Sequence, residues 1–176
     1  VGEYLSEWIR NRAADTVKPL RPKTLQSYRY LLRFHVIPAI GTLLLSELAT
    51  PQIQAFLTKL ANLPLQGTLK NQDRLLSPRT IAYIKGLLRN ALNPDVVHRV
   101  TGQWITEHNP AYLVQTARVD KPRLYPYSWA EADRLIKGVQ DHRLGPLFAF
   151  AILTGCREGE VLGLRWSAVD MEEGGC

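Results

Sequence analysis

The sequence predicts a mainly α-helical protein, and three observations carry that expectation. Apolar residues recur at intervals of three and four along the front of the chain. Helix-start signals stand at Thr50-Pro51, Ser77-Pro78 and Ser128-Trp129-Ala130-Glu131. No long alternation of apolar and polar residues marks a strand in the front section.

The first helix is expected over Tyr4 to Arg12, with Leu5, Trp8 and Ile9 as its core stripe. After the basic turn Lys18-Pro19-Leu20-Arg21-Pro22, a second should run from about Thr24 to His35. Leu25, Tyr28, Leu32 and Val36 form its inner side, Lys23, Ser27, Arg29 and Arg33 its outer side, and Pro38 and Gly41 are expected to end it. The third helix starts with Thr50 as N-cap and Pro51 at the first position, burying Ile53, Phe56, Leu57 and Leu60. A polar stretch from Asn62 to Leu76 reads as a loop. The fourth helix opens at Ser77-Pro78 and turns Ile81, Ile84, Leu87, Leu88 and Ala91 inward, leaving Arg79, Lys85 and Arg89 outside. Residues 93–109 break the period, although Val96, Val97, Val100, Trp104 and Ile105 could build a short helix.

Residues 116–126, polar and basic with two prolines, fit a linker between a helical domain at 1–115 and a second unit at 127–176. The Ser128 to Glu131 capping box opens a helix lined by Ala132, Leu135, Ile136 and Val139. The following helix, roughly Leu144 to Leu153, is apolar nearly all round and is therefore expected to be buried. Thr154-Gly155-Cys156 leads into Arg157 and a short helix to Leu164. Residues Arg165 to Met171 could start a strand, with no partner in the remaining sequence. Trp129 and Trp166 read as core or rim aromatics.

No apolar run approaches the roughly 20 residues of a membrane helix, and the N-terminal residues lack the pattern of a secretory signal, so a cytoplasmic setting is expected. Cys156 and Cys176 have no zinc-ligand spacing, and neither structural metal nor cofactor is expected. The net charge of +6 is unevenly distributed. Residues 1–123 carry 17 Lys/Arg against 8 Asp/Glu, whereas residues 124–176 carry 5 against 8. Between Leu20 and Asn90, ten basic residues face only Glu47 and Asp73, as a surface opposite a polyanion needs. A solvated basic face accounts for the charge equally well.

Three blocks together resemble the tyrosine recombinase (phage integrase) family. Leu20-Arg21-Pro22-Lys23-Thr24-Leu25-Gln26-Ser27-Tyr28, running on to Ile37-Pro38-Ala39-Ile40-Gly41 and Leu48 to Leu57, is similar to the SAM-like helical core-binding domain. Leu76-Ser77-Pro78-Arg79-Thr80-Ile81 to Leu92 resembles that domain's last major helix, with Asn109-Pro110-Ala111 as its exit. Leu144 to Trp166, containing Thr154-Gly155-Cys156-Arg157-Glu158-Gly159-Glu160, resembles the first catalytic box of the α/β catalytic domain. Pro94 to Gln103 departs from the family's pattern, as do Cys156 and Glu158, which stand where an apolar and a basic residue are more usual.

The resemblance implies double-stranded DNA as partner, together with other recombinase protomers, and no membrane or small-molecule substrate. Its DNA contacts would come from Lys23, Thr24, Ser27, Arg29, Arg33, Ser77, Arg79, Thr80, Lys85 and Arg89. The implied chemistry is transesterification, in which a tyrosine hydroxyl attacks a phosphodiester and two arginines neutralise the phosphate's nonbridging oxygens. Arg157 matches the first of these, and Glu160, one turn on, would support it. A cation at a helix N-terminus is unfavourably placed without an anionic partner. For Glu160, a carboxylate that merely complements a helix start is an equally good reading.

After Arg157 the sequence contains no Lys, His or Tyr, and no histidine is followed at the third position by Arg. The family's remaining catalytic residues lie downstream of its first arginine, so the 176 residues are expected to be catalytically incomplete, a truncated product or a fragment. Two other readings are open: a small regulatory DNA-binding protein, and the non-functional product of a pseudogene.

Overall fold

The computed structural model describes residues 1–62, 75–120 and 123–169. Among these, helices dominate and no β-strand forms. The chain divides into two compact units, Val1–Lys121 and Pro122–Cys176.

In the first unit, α1 (Gly2–Ala14) buries Tyr4, Leu5, Trp8 and Ile9. The Tyr4 hydroxyl donates to the Ala91 carbonyl, and burial pushes its ionisation far above the ordinary phenol range. Helix α2 (Pro22–Leu31) passes into a π-helical turn (Leu32–Val36) and then α3 (Ile37–Ile40). Pro38 therefore does not end the second helix as expected. Within an uninterrupted α-helix its ring would strike the carbonyl four residues back. The wide turn re-registers the backbone before that point, the Ile37 N–H donating to Leu32 five residues earlier. Gly41 ends the run, at a backbone approach where an added Cβ would lie 2.4 Å from the Ile37 oxygen.

Helix α4 (Thr50–Asn62) buries the expected Ile53, Phe56, Leu57 and Leu60. Thr50 is not its cap: its hydroxyl donates to the Pro110 carbonyl at 2.8 Å, and Gln52 reaches back to accept the Ala49 N–H at 3.1 Å. The expected loop falls almost wholly outside the described residues. Helix α5 (Pro78–Ala91) starts as anticipated, with Ser77 Oγ accepting from the Thr80 N–H at 3.1 Å, and buries Ile81, Ile84, Leu87, Leu88 and Ala91.

The irregular segment after it is a formed helix, α6 (Pro94–Thr101). Asn93 caps its start, left-handed Gly102 (φ 73°) its end, and Val97 is buried against the core. Ala111 and Val114 complete one apolar core. Full burial of each large aliphatic side chain there contributes about 1.5–3 kcal/mol.

The second unit comprises α7 (Trp129–Gly138), α8 (Gly145–Thr154), α9 (Glu158–Gly163) and a short 3₁₀ turn (Trp166–Ala168). Ser128 and Glu131 form the expected capping box. Three expectations fail here. Helix α8 is not buried: only Gly145 is enclosed, and Phe148 and Leu153 are exposed. An all-round apolar helix needs cover on every side, and within this unit α7 and α9 supply only part of it. The Arg165 to Met171 stretch bends into the 3₁₀ turn over its described residues, since no neighbouring strand is present there to pair with it. Trp129 and Trp166 are neither core nor rim but almost fully exposed.

Candidate nucleic-acid interface

Helices α2 and α5 meet at an aromatic ladder. Trp8 stacks on Tyr28 with ring centres 6.0 Å apart, and Tyr28 packs on Tyr83 at 5.7 Å. Burial and the neighbouring Tyr28 raise the ionisation of Tyr83 above the ordinary phenol value. Above this ladder the two helices bound an open groove of about 860 Å³, lined by Gln26, Ser27, Tyr30 and Leu31 from one side and Ser77, Arg79, Thr80, Ala82 and Tyr83 from the other.

The groove brings together Ser27, Ser77, Arg79 and Thr80, four of the expected contact residues. Ser77 and Thr80 hydroxyls lie 2.9 Å apart at the α5 N-terminus, and Ser27 Oγ donates to the Lys23 carbonyl at 2.9 Å. Lys23 and Thr24 occupy the first turn of α2, Lys23 exposed and Thr24 half-buried.

The other four are placed elsewhere. Arg29 is about 160° around α2 from Ser27, and Arg33 in the π-helical turn holds its guanidinium 5.5 Å from the Phe34 ring centre. Lys85, half-buried rather than fully outward, is about 120° around α5 from Arg79. Arg89 is about 15 Å further along that helix, over the Tyr112 ring at 4.6 Å. The expected face is thus one groove and separate basic positions flanking it.

Gln26, Tyr30 and Tyr83 line the groove without having been singled out in the sequence. Their signal was spacing: Tyr30 stands three residues after Ser27, and Tyr83 four after Arg79, each pair sharing a helix face.

In the second unit, left-handed Gly155 (φ 70°) ends α8 and turns the chain so that Arg157 becomes the N-cap residue of α9. Glu160 accepts twice from Arg157, from the backbone N–H at 2.8 Å and from Nη1 at 2.9 Å. The backbone bond chiefly, then the side-chain bond, holds the Glu160 carboxyl below its ordinary range. The Arg157 side chain is 87% exposed, so its remaining donors are open to an anion.

Residues 1–61 match the family described as phage integrase, N-terminal SAM-like domain. Over 177 aligned residues the chain is 22% identical to an integrase of Saccharopolyspora erythraea, an alignment covering 98% of this chain and 36% of that protein. Over its first 61 residues the chain is thus similar to the N-terminal domain of phage integrases. A 47-residue stretch is 40% identical to a XerC-like tyrosine recombinase of Caldanaerobacter subterraneus subsp. tengcongensis, covering 27% of this chain and 12% of that one. The chain spans about a third of the length of the first of these relatives, and the match covers about an eighth of the second. No solved structure matches it. Among the described residues, no helix is long and apolar enough to cross a membrane.

Proposed function

We propose that the Val1–Lys121 unit grips double-stranded DNA along the α2–α5 groove, as the core-binding domain of a site-specific recombinase. The observation that carries this reading is the convergence of Ser27, Ser77, Arg79 and Thr80 on one groove. Hydroxyls and a helix N-terminus are phosphate donors, and Arg79 adds a bidentate cation. Lys23, Thr24, Arg29, Arg33, Lys85 and Arg89 supply further contacts as the duplex curves away. The partners are DNA and other protomers, and a duplex partner implies a cytoplasmic setting.

In the second unit, Arg157 acts as a phosphate clamp in phosphotyrosyl transesterification, with Glu160 fixing its fork. The 176 residues supply no tyrosine after Arg157, so they bind without forming a covalent adduct by themselves.

The test is binding of the chain to duplex DNA over a salt series. Affinity should fall steeply with salt, and Arg79→Ala should reduce the logarithmic slope by about one. Salt-insensitive binding, or a slope unchanged by Arg79→Ala, overturns the groove assignment.

A further inference from the structure

We infer that Gln26 is the residue in the groove that reads DNA sequence, by pairing with the major-groove edge of an adenine. This inference rests on the DNA-binding reading above and specifies what the groove recognises.

Position comes first. On α2, Tyr28 and Leu31 turn toward the core, and Gln26 is about 160° around the axis from Tyr28, on the helix crest. It is exposed and lines the groove. A helix that enters the major groove does so crest first, so the crest residue meets base edges while residues on its flanks meet phosphates. Lys23, one turn before Gln26, and Arg29, one turn after, are the exposed cations on either side of it. A neutral side chain between two cations is the arrangement expected where backbone contacts bracket a base contact.

Chemistry distinguishes Gln26 from its neighbours. A carboxamide offers one acceptor and one donor in a plane, matching adenine's N6 amino group and N7. Among the described side chains lining the groove, Gln26 alone has donor and acceptor on two separate atoms of one planar group. The hydroxyls of Ser27, Ser77 and Thr80 carry donor and acceptor on a single atom, which suits a phosphate oxygen rather than the two adenine positions. The amides of Gln52 and Gln54 are committed, Gln52 to the Ala49 N–H and the Glu47 carbonyl and Gln54 to both backbone groups of Gln115. Gln26 makes no hydrogen bond among the described residues, so its amide reaches a base without first breaking an internal contact.

The experiment is selection of bound duplexes from a randomised library, using the chain, Gln26→Ala and Gln26→Arg. The original chain should enrich a motif containing an adenine that Gln26→Ala no longer selects. Discrimination at that one base pair should fall roughly 5- to 150-fold, with the salt slope and affinity for unselected DNA unchanged. Gln26→Arg should shift the preference at the same position to guanine, because guanidinium pairs with O6 and N7. An unaltered motif in Gln26→Ala, or a uniform loss of affinity over all sequences, overturns the inference, as does enrichment of no motif by the original chain. Those results leave DNA binding intact. Absence of any duplex binding by the original chain instead overturns the proposed function, and the inference with it.

Discussion

The side chain of Gln54 holds the main chain of Gln115 in both directions: its Oε1 accepts the Gln115 N–H at 2.8 Å, and its Nε2 donates to the Gln115 carbonyl at 3.1 Å. A glutamine on α4 thus imitates a neighbouring strand. Together with Asn109 Nδ2 donating to the Arg89 carbonyl at 2.7 Å and Thr50 donating to Pro110, it straps the exit segment to the first unit. The strapped segment accordingly reaches Gln115, more than a dozen residues beyond the end of α6.

Gln54→Ala should release that strap while sparing the core. Both exposed hydrogen bonds to Gln115 are lost, each worth about 0.5–1.5 kcal/mol at most, along with a long one to Thr58. Amide exchange at Gln115 should accelerate and proteolysis between Tyr112 and Arg118 should increase, while the exchange of Leu88 stays slow. Unchanged protection at Gln115 would show that Ala111 and Val114 packing alone holds the segment.

The two units should respond differently to truncation of apolar side chains. Ile84 is fully enclosed in the first core, so Ile84→Ala should lower unfolding free energy by about 2–5 kcal/mol. Leu153 on α8 is 70% exposed, and Leu153→Ala should shift stability by less than about 0.5 kcal/mol. Denaturant melts of the two variants measure the contrast. A large loss for Leu153→Ala would mean that α8 is covered in solution.

These elements also show what was legible beforehand. Helix α5 announced its start, its apolar stripe and its polar back within fifteen residues, because caps and periodicity are local. Helix α6 had equally local caps in Asn93 and Gly102, but three valines in eight residues obscured its period. Pro38 misled because the breaker rule assumes an α-helix, whereas the π-helical turn before it changes the register. For α8, composition signalled a helix that favours burial, but burial depends on neighbours that composition does not describe. The groove was the least legible feature: Ser27 and Arg79 are 52 positions apart, and their helices come together through tertiary contacts such as Tyr28–Tyr83.

The Arg157–Glu160 pair predicts a pH dependence at the start of α9. Glu160 is held below its ordinary pKa of 4.5. A carboxylate with a depressed folded-state pKa stabilises above the unfolded value, and that stabilisation is lost as pH falls through the folded one. The cap should therefore be intact at neutral pH and dissolve progressively below about pH 4.5, read by carbon NMR of the Glu160 carboxyl. Arg157→Ala should raise the Glu160 pKa only part of the way, because the backbone N–H of residue 157, its largest cause, survives the substitution. A complete return to 4.5 would reverse that order of causes.

Ser77 separates stability from binding, because its one oxygen serves both. It caps α5 by accepting the Thr80 N–H and also lines the groove. Ser77→Ala should cost about 0.5–2 kcal/mol through the lost cap, and should weaken DNA binding through the lost hydroxyl. Ser77→Asp keeps an acceptor at the N-cap and adds a charge that complements the helix N-terminus, so the thermal midpoint should match or exceed that of the original chain. The same carboxylate would face the phosphates in the groove, and like charges repel across a short gap. Affinity for duplex DNA should therefore fall further in Ser77→Asp than in Ser77→Ala, even though the protein is the more stable of the two. Melting curves and salt-series binding on both variants give the two orderings. If affinity instead follows stability, Ser77 acts only as a cap and the duplex does not approach the start of α5.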